Sequence, residues 1–196
     1  MNAKPIANLL RDRRGMTLVE MMIAVTVFGM IMGVVMGFLV DSRDSYTQTR
    51  SRAQTQQGMR AVLSLLTAEI RSAGCDPQTA GFDTFGLADA ATLQIRMDLN
   101  GDGDVTDNDP DETVTWTYNA ATDELSRNGG NGDQVLLRRV TAVTFNYFDA
   151  NGALLAGLPL SAADRAQVRT VEVILQGEAA KGGPVDYTTR VALRNI

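Results

Sequence analysis

The chain has 196 residues, 44% of them apolar, which suffices for one ordinary domain with an appendage and a real core. The net charge is −5, yet Lys4, Arg11, Arg13 and Arg14 against Asp12 give residues 1–15 a local +3 and leave −8 on the remainder, so no nucleic-acid partner is expected. There are no histidines and one cysteine, which excludes an imidazole base, a Ser-His-Asp triad, a His-ligated zinc and an intrachain disulfide.

The first element in chain order is apolar. Met21 to Val40 is a run of twenty residues without a formal charge, long enough as a helix to cross a hydrocarbon core of about 30 Å. Arg11, Arg13 and Arg14 precede it, whereas Asp41, Arg43 and Asp44 after it nearly balance. The positive-inside bias then puts the N-terminus in the cytoplasm and the chain beyond Val40 outside. A cleaved secretory signal would have a shorter apolar run and an A-x-A-like site, and neither is present. The segment is expected to stay attached.

Glu20 does not fit a plain anchor. A carboxylate near the bilayer core costs on the order of 2–3 kcal/mol or more unless it has a partner. Either Glu20 lies hydrated at headgroup level or it pairs with a cation. Gly29, Gly33 and Gly37 recur every four residues on one helix face, where missing side chains let another helix approach closely.

The string RRGMTLVEMMIAVTVFGMIMG, residues 13–33, resembles the prepilin signature of type IV pilins and type II secretion pseudopilins. In that family a basic leader ends in glycine, a dedicated peptidase cuts after it, and the fifth mature residue is glutamate. The resemblance makes Gly15 the cleavage residue, Met16 the new and N-methylated terminus, and Glu20 the counter-ion for a neighbouring subunit's amine. Thr17, Leu18 and Val19 also match, while Met16 stands where phenylalanine is commoner. Both members of such a pair are needed in a low dielectric, so loss of the carboxylate is costly.

Past Val40 the chain is polar to Gln57, and then apolar residues recur at Met59, Val62, Leu63, Leu66, Ile70 and Ala73 as one helical stripe. Gly74 is the expected C-cap and Pro77 a stop. From Met16 to Ala73 are 58 residues, roughly 87 Å as unbroken helix. Cys75 reads as a small, partly buried apolar residue, an intermolecular bridge being the alternative.

Alternating runs then predict strands at 91–97, 113–118, 124–126, 135–138, 140–148, 168–176 and 187–193, with turn clusters at 128–132, 149–152 and 182–184. The economical architecture is α+β, a long N-terminal helix with a membrane half and an amphipathic half, the latter covered by a mainly antiparallel β-sheet head. The pilin resemblance implies the same fold. It divides the chain into a leader, 1–15, a helix, 16–74, and an extracytoplasmic head, 75–196. RAVLSLLTAEIRSAGCDP (60–77) and TTRVALRN (188–195) resemble a minor pilin of the PilW type, and the GspJ-type pseudopilin is the alternative. The partners so implied are other pilin or pseudopilin subunits, a prepilin peptidase and the bacterial inner membrane.

One loop remains. Asp98, Asn100 and Asp102 occupy positions 1, 3 and 5 of a calcium-loop template, with Gly103 at 6, Asp104 at 7 to offer its carbonyl, Thr106 at 9 and Asp109 at 12. Asp109 is shorter than the usual glutamate, and strands rather than helices flank the loop. The alternative is a solvated acidic turn. Calcium is the expected cofactor, and an uncleaved signal-anchored calcium-binding surface protein is the alternative to a filament subunit; catalysis by these carboxylates is not expected, because a glycine-rich loop provides no cleft to shift their pKa values.

Overall fold

The computed structural model describes residues 15–195 and divides the chain into two units, Met1–Tyr46 and Thr47–Ile196. Lys4, Arg11, Arg13 and Arg14, in the expected leader, lie outside the described residues. Helix α1, Leu18–Ser72, supplies residues to both units.

In the first unit the run Met21–Val40 dictates a helical stretch without a charged residue, and every residue from 15 to 46 is exposed. In the second unit α1 becomes amphipathic: Met59, Val62, Leu63, Leu66 and Ile70 are buried, with Ala73 just beyond the helix. Burial of each large side chain contributes roughly 1.5–3 kcal/mol before entropy. The helix ends where Gly74 takes φ +72°, a conformation that suits a residue without Cβ. Asn195 Nδ2 donates to the Arg71, Ser72 and Ala73 carbonyls at 3.3–3.5 Å, satisfying acceptors that the helix end leaves unpaired.

Among the described residues eight strands follow in two antiparallel sheets. The first is a meander of β1 (Phe85–Ala88), β2 (Thr92–Arg96), β3 (Thr113–Asn119), β4 (Glu124–Asn128) and β5 (Gln134–Arg138), adjacent in that order. The second joins β6 (Val140–Phe148), β7 (Thr170–Ala179) and β8 (Gly183–Ala192). A short helix α2, Ala162–Arg165, precedes β7. Along β2, β3 and β7 buried and less buried residues alternate, as the two-residue period of a pleated strand requires. The buried set includes Leu93 and Ile95 on β2, Val114 and Trp116 on β3, Phe145 and Tyr147 on β6, and Val171 and Val173 on β7. With the helical stripe they form one hydrophobic cluster.

The long helix and antiparallel strands agree with the α+β expectation, and the strands fall into two sheets. The break lies at Arg139, whose φ of +59° ends β5 and redirects the chain into β6. There Val140 N donates to the Asp123 carbonyl at 3.0 Å, and Glu178 N donates to the Arg139 carbonyl at 3.0 Å, so the Arg139–Val140 peptide unit joins the two ladders. β1 was not expected, and β8 starts four residues earlier than expected. Pro184 is accommodated in β8 because that strand is an edge, where a missing N–H leaves no ladder bond unmade.

Candidate functional site

Two regions bear on function. At the start of α1, Thr17 and Glu20 form a reciprocal capping box. Thr17 N–H and Thr17 Oγ1 both donate to Glu20 Oε2 at 2.9 Å, and Glu20 N–H donates back to Thr17 Oγ1 at 3.3 Å. Thr-x-x-Glu is the spacing that permits this, because N-cap and N3 face each other across the first turn. Gly15 and Met16 precede this turn and are exposed. Gly29, Gly33 and Gly37 lie further along the helix, and a Cβ placed on any of them meets nothing within 4 Å. The described residues therefore leave room for a Cβ at these positions.

The second region is the loop between β2 and β3. Asp98 is fully buried and acts as an internal scaffold, its two carboxylate oxygens accepting from Gly101 N at 2.5 Å and Gly103 N at 3.0 Å. Gly103 turns the chain with φ +91°, a region that side chains disfavour. Successive Asx turns continue the fold: Asn100 Oδ1 accepts from Asp102 N at 2.9 Å, Asp102 Oδ1 from Asp104 N at 3.0 Å, and Asp104 Oδ1 from Thr106 N at 2.8 Å. Asn100 Nδ2 also donates to Asp102 Oδ2 and Asp107 Oδ2. Gln78 Nε2 donates to the Gly101 carbonyl, and Asp98 N donates to the Cys75 carbonyl, so the loop is fastened to the segment after α1.

The carboxylates that converge are those of Asp102, Asp104 and Glu112, each with an oxygen within 4.8 Å of the others. Asp98 serves the loop backbone instead, and Asp109 is exposed beside the turn. Glu112 was missed by the sequence reading because it lies three residues past the end of the twelve-residue template. It is fully buried; Oε1 accepts from Leu99 N at 3.0 Å and Asn100 N at 3.3 Å, while Oε2 has no hydrogen-bond partner among the described residues. Asp107 is held above the usual carboxylate range by desolvation and by the charges of Asp102, Glu112 and Asp104.

Beside this loop a buried polar network crosses from α1 to the first sheet. Glu69 accepts from Trp116 Nε1 at 2.6 Å and from Arg127 Nε at 2.7 Å, and Arg127 also pairs with Asp111 at 2.8 Å. Desolvation raises the Glu69 carboxyl above its ordinary range, with the Trp116 and Arg127 hydrogen bonds acting in the opposite sense. Its place at the helix–sheet contact gives it a structural role.

Comparison with protein families matches the prokaryotic N-terminal methylation motif to residues 10–36. The matched stretch contains Gly15, Met16, Glu20, Gly29 and Gly33 and the Thr17–Glu20 cap. A motif of this prepilin type implies processing by a prepilin peptidase and assembly with other pilins. Together with the apolar helix, it supports a pilin-like or pseudopilin-like, membrane-anchored subunit. A comparison with curated proteins finds no match.

Proposed function

We propose that the chain is a minor pilin of the PilW type, a subunit of a type IV pilus assembly that aids pilus initiation or biogenesis. The precursor sits in the inner membrane with its N-terminus in the cytoplasm. A prepilin peptidase cuts after Gly15, and Met16 becomes the N-methylated terminus. Subunits then pack through the apolar part of α1, with Glu20 neutralising a neighbour's terminal amine and the Gly29, Gly33 and Gly37 face against another helix.

The observation that carries this reading is the overlap of the methylation motif, residues 10–36, with the N-terminal stretch of α1, whose apolar side chains from Leu18 to Val40 are all exposed. A surface that apolar needs lipid or other subunits around it. A monomeric enzyme or soluble binding module has no use for it. The capping box adds a constraint on timing. In the subunit alone the Glu20 carboxylate is already hydrogen-bonded by Thr17, so it is held in place at the helix entrance before a neighbour's amine arrives.

Deletion of the gene in a host that makes both systems tests the reading. Loss of surface pili, restored by the wild-type gene, with type II secretion intact is the expected result. Intact pili with lost secretion would instead make the chain a pseudopilin of the GspJ type, and loss of neither would contradict both.

A further inference from the structure

The cluster between β2 and β3 has a feature that a solvated acidic turn lacks. Glu112 is fully buried, and its Oε2 is left without a hydrogen-bond partner among the described residues. A buried carboxylate oxygen with nothing to neutralise it is strongly disfavoured. This one belongs to a side chain that converges with Asp102 and Asp104 within 4.8 Å. Three carboxylates at that separation repel one another, and a single proton would remove only one of the three charges. A divalent cation removes two and takes an oxygen from each residue.

The remaining bonds of the loop prepare such a site. Asp98 gathers the backbone N–H groups of Gly101 and Gly103, and the Asx turns fix Asp102 and Asp104 by one oxygen each. Glu112 is fixed by Oε1 to the Leu99 and Asn100 N–H groups. Every donor in the cluster is a carboxylate oxygen, which suits a hard cation and not a thiophilic one. The set rides on a glycine-containing loop and not on rigid octahedral scaffolding, which favours the adaptable coordination of calcium over the demanding one of magnesium.

We propose that Asp102, Asp104 and Glu112 bind one calcium ion, with Glu112 supplying the distal carboxylate that the sequence template assigned to Asp109. The ion ties the loop to the start of β3 and completes the coordination of an otherwise orphaned buried oxygen. Binding does not depend on assembly into a filament and is therefore measurable on the subunit alone.

The test is calorimetric titration of the full chain in detergent micelles, stripped with a chelator, with calcium chloride and separately with magnesium chloride. A single saturable calcium site and a calcium-dependent rise in melting temperature are expected, with weaker magnesium binding. Loss of an outer-shell partner already weakens metal sites about 10–100-fold, so Glu112→Gln and Asp102→Asn should each weaken binding at least about tenfold. Asp109→Asn should leave it unchanged. Asp102 is exposed, so its variant keeps the test decisive if the buried Glu112 variant fails to fold. No saturable uptake by the wild type, wild-type affinity in Asp102→Asn, or a loss confined to Asp109→Asn would overturn the proposal.

Discussion

Glu20 Oε2 accepts both the backbone N–H and the hydroxyl of Thr17 at 2.9 Å, so the carboxylate that enters the apolar helix is locally satisfied before any second subunit arrives. Glutamine closes the same capping box as glutamate, because either side chain offers an oxygen at N3. The two possible roles of Glu20, capping and charge pairing, are therefore separable. Glu20→Gln should leave membrane insertion and the first turn of α1 intact, as read by amide exchange in micelles, while incorporation into filaments falls sharply. Normal incorporation would confine Glu20 to capping.

The glycines at 29, 33 and 37 offer a second separation. Apart from the helix's own backbone, no atom of the described residues lies within 4 Å of a Cβ built at any of them, so no contact among the described residues demands glycine there. Replacing a mid-helix glycine by alanine stabilises an isolated helix by about 1 kcal/mol. Gly33→Ala and Gly33→Leu should thus keep or raise helix content in micelles, yet reduce co-purification with partner subunits, the leucine variant more. Undiminished co-purification of Gly33→Leu would remove close helix packing from the account.

Glu69 lies where α1 meets the first sheet and holds both Trp116 and Arg127. Removing one partner of a buried ion pair leaves the other charge unpaired and costs about 3–5 kcal/mol. Glu69→Ala is expected to lower stability by that order, measured by urea unfolding in micelles. Trp116→Phe, which keeps much of the packing and deletes one charge-assisted hydrogen bond, should cost about 1.5–3 kcal/mol. Equal stability of both variants and the wild type would contradict the role given to this network.

Hydrogen bonds from Arg190 and Asn146 hold the Glu172 carboxyl below its ordinary range. A depressed carboxyl stabilises the fold above its unfolded pKa of about 4.3 and loses that contribution as pH falls through the folded value. The stability difference between wild type and Glu172→Gln should therefore be constant at neutral pH and shrink on acidification below about pH 4.3. A difference that grows on acidification would reverse the assigned sign.

The parts of the fold that were legible in the sequence share a long, regular period. The stripe from Met59 to Ile70 and the alternation in β3, β6 and β7 repeat often enough to fix element type. β1 was not legible because Phe85–Ala88 is four residues long with a glycine at its second position and a register shift against β2. The division into two sheets was hidden for another reason. Arg139 adopts φ +59° without being glycine, asparagine or aspartate, so its side chain gives no signal of a turn.

The acidic loop divides in the same way. Asp98, Asn100, Asp102 and Gly103 are spaced by local backbone geometry, and the structure shows that geometry as a chain of Asx turns. Glu112 reaches the cluster only because the chain doubles back through the Asn108–Asp111 bridge, a contact that linear spacing does not encode. The Thr17–Glu20 cap was not expected, although its Thr-x-x-Glu spacing is local and lies in the sequence itself.

The most direct test of the central claim is the intact mass and N-terminal sequence of the protein produced with and without a prepilin peptidase. With the peptidase, the chain should begin at Met16 and carry one methyl group on its amine; without it, Met1 should be retained. Retention of Met1 under both conditions would contradict processing, and with it the assignment of Glu20 to pairing with a neighbour's terminus.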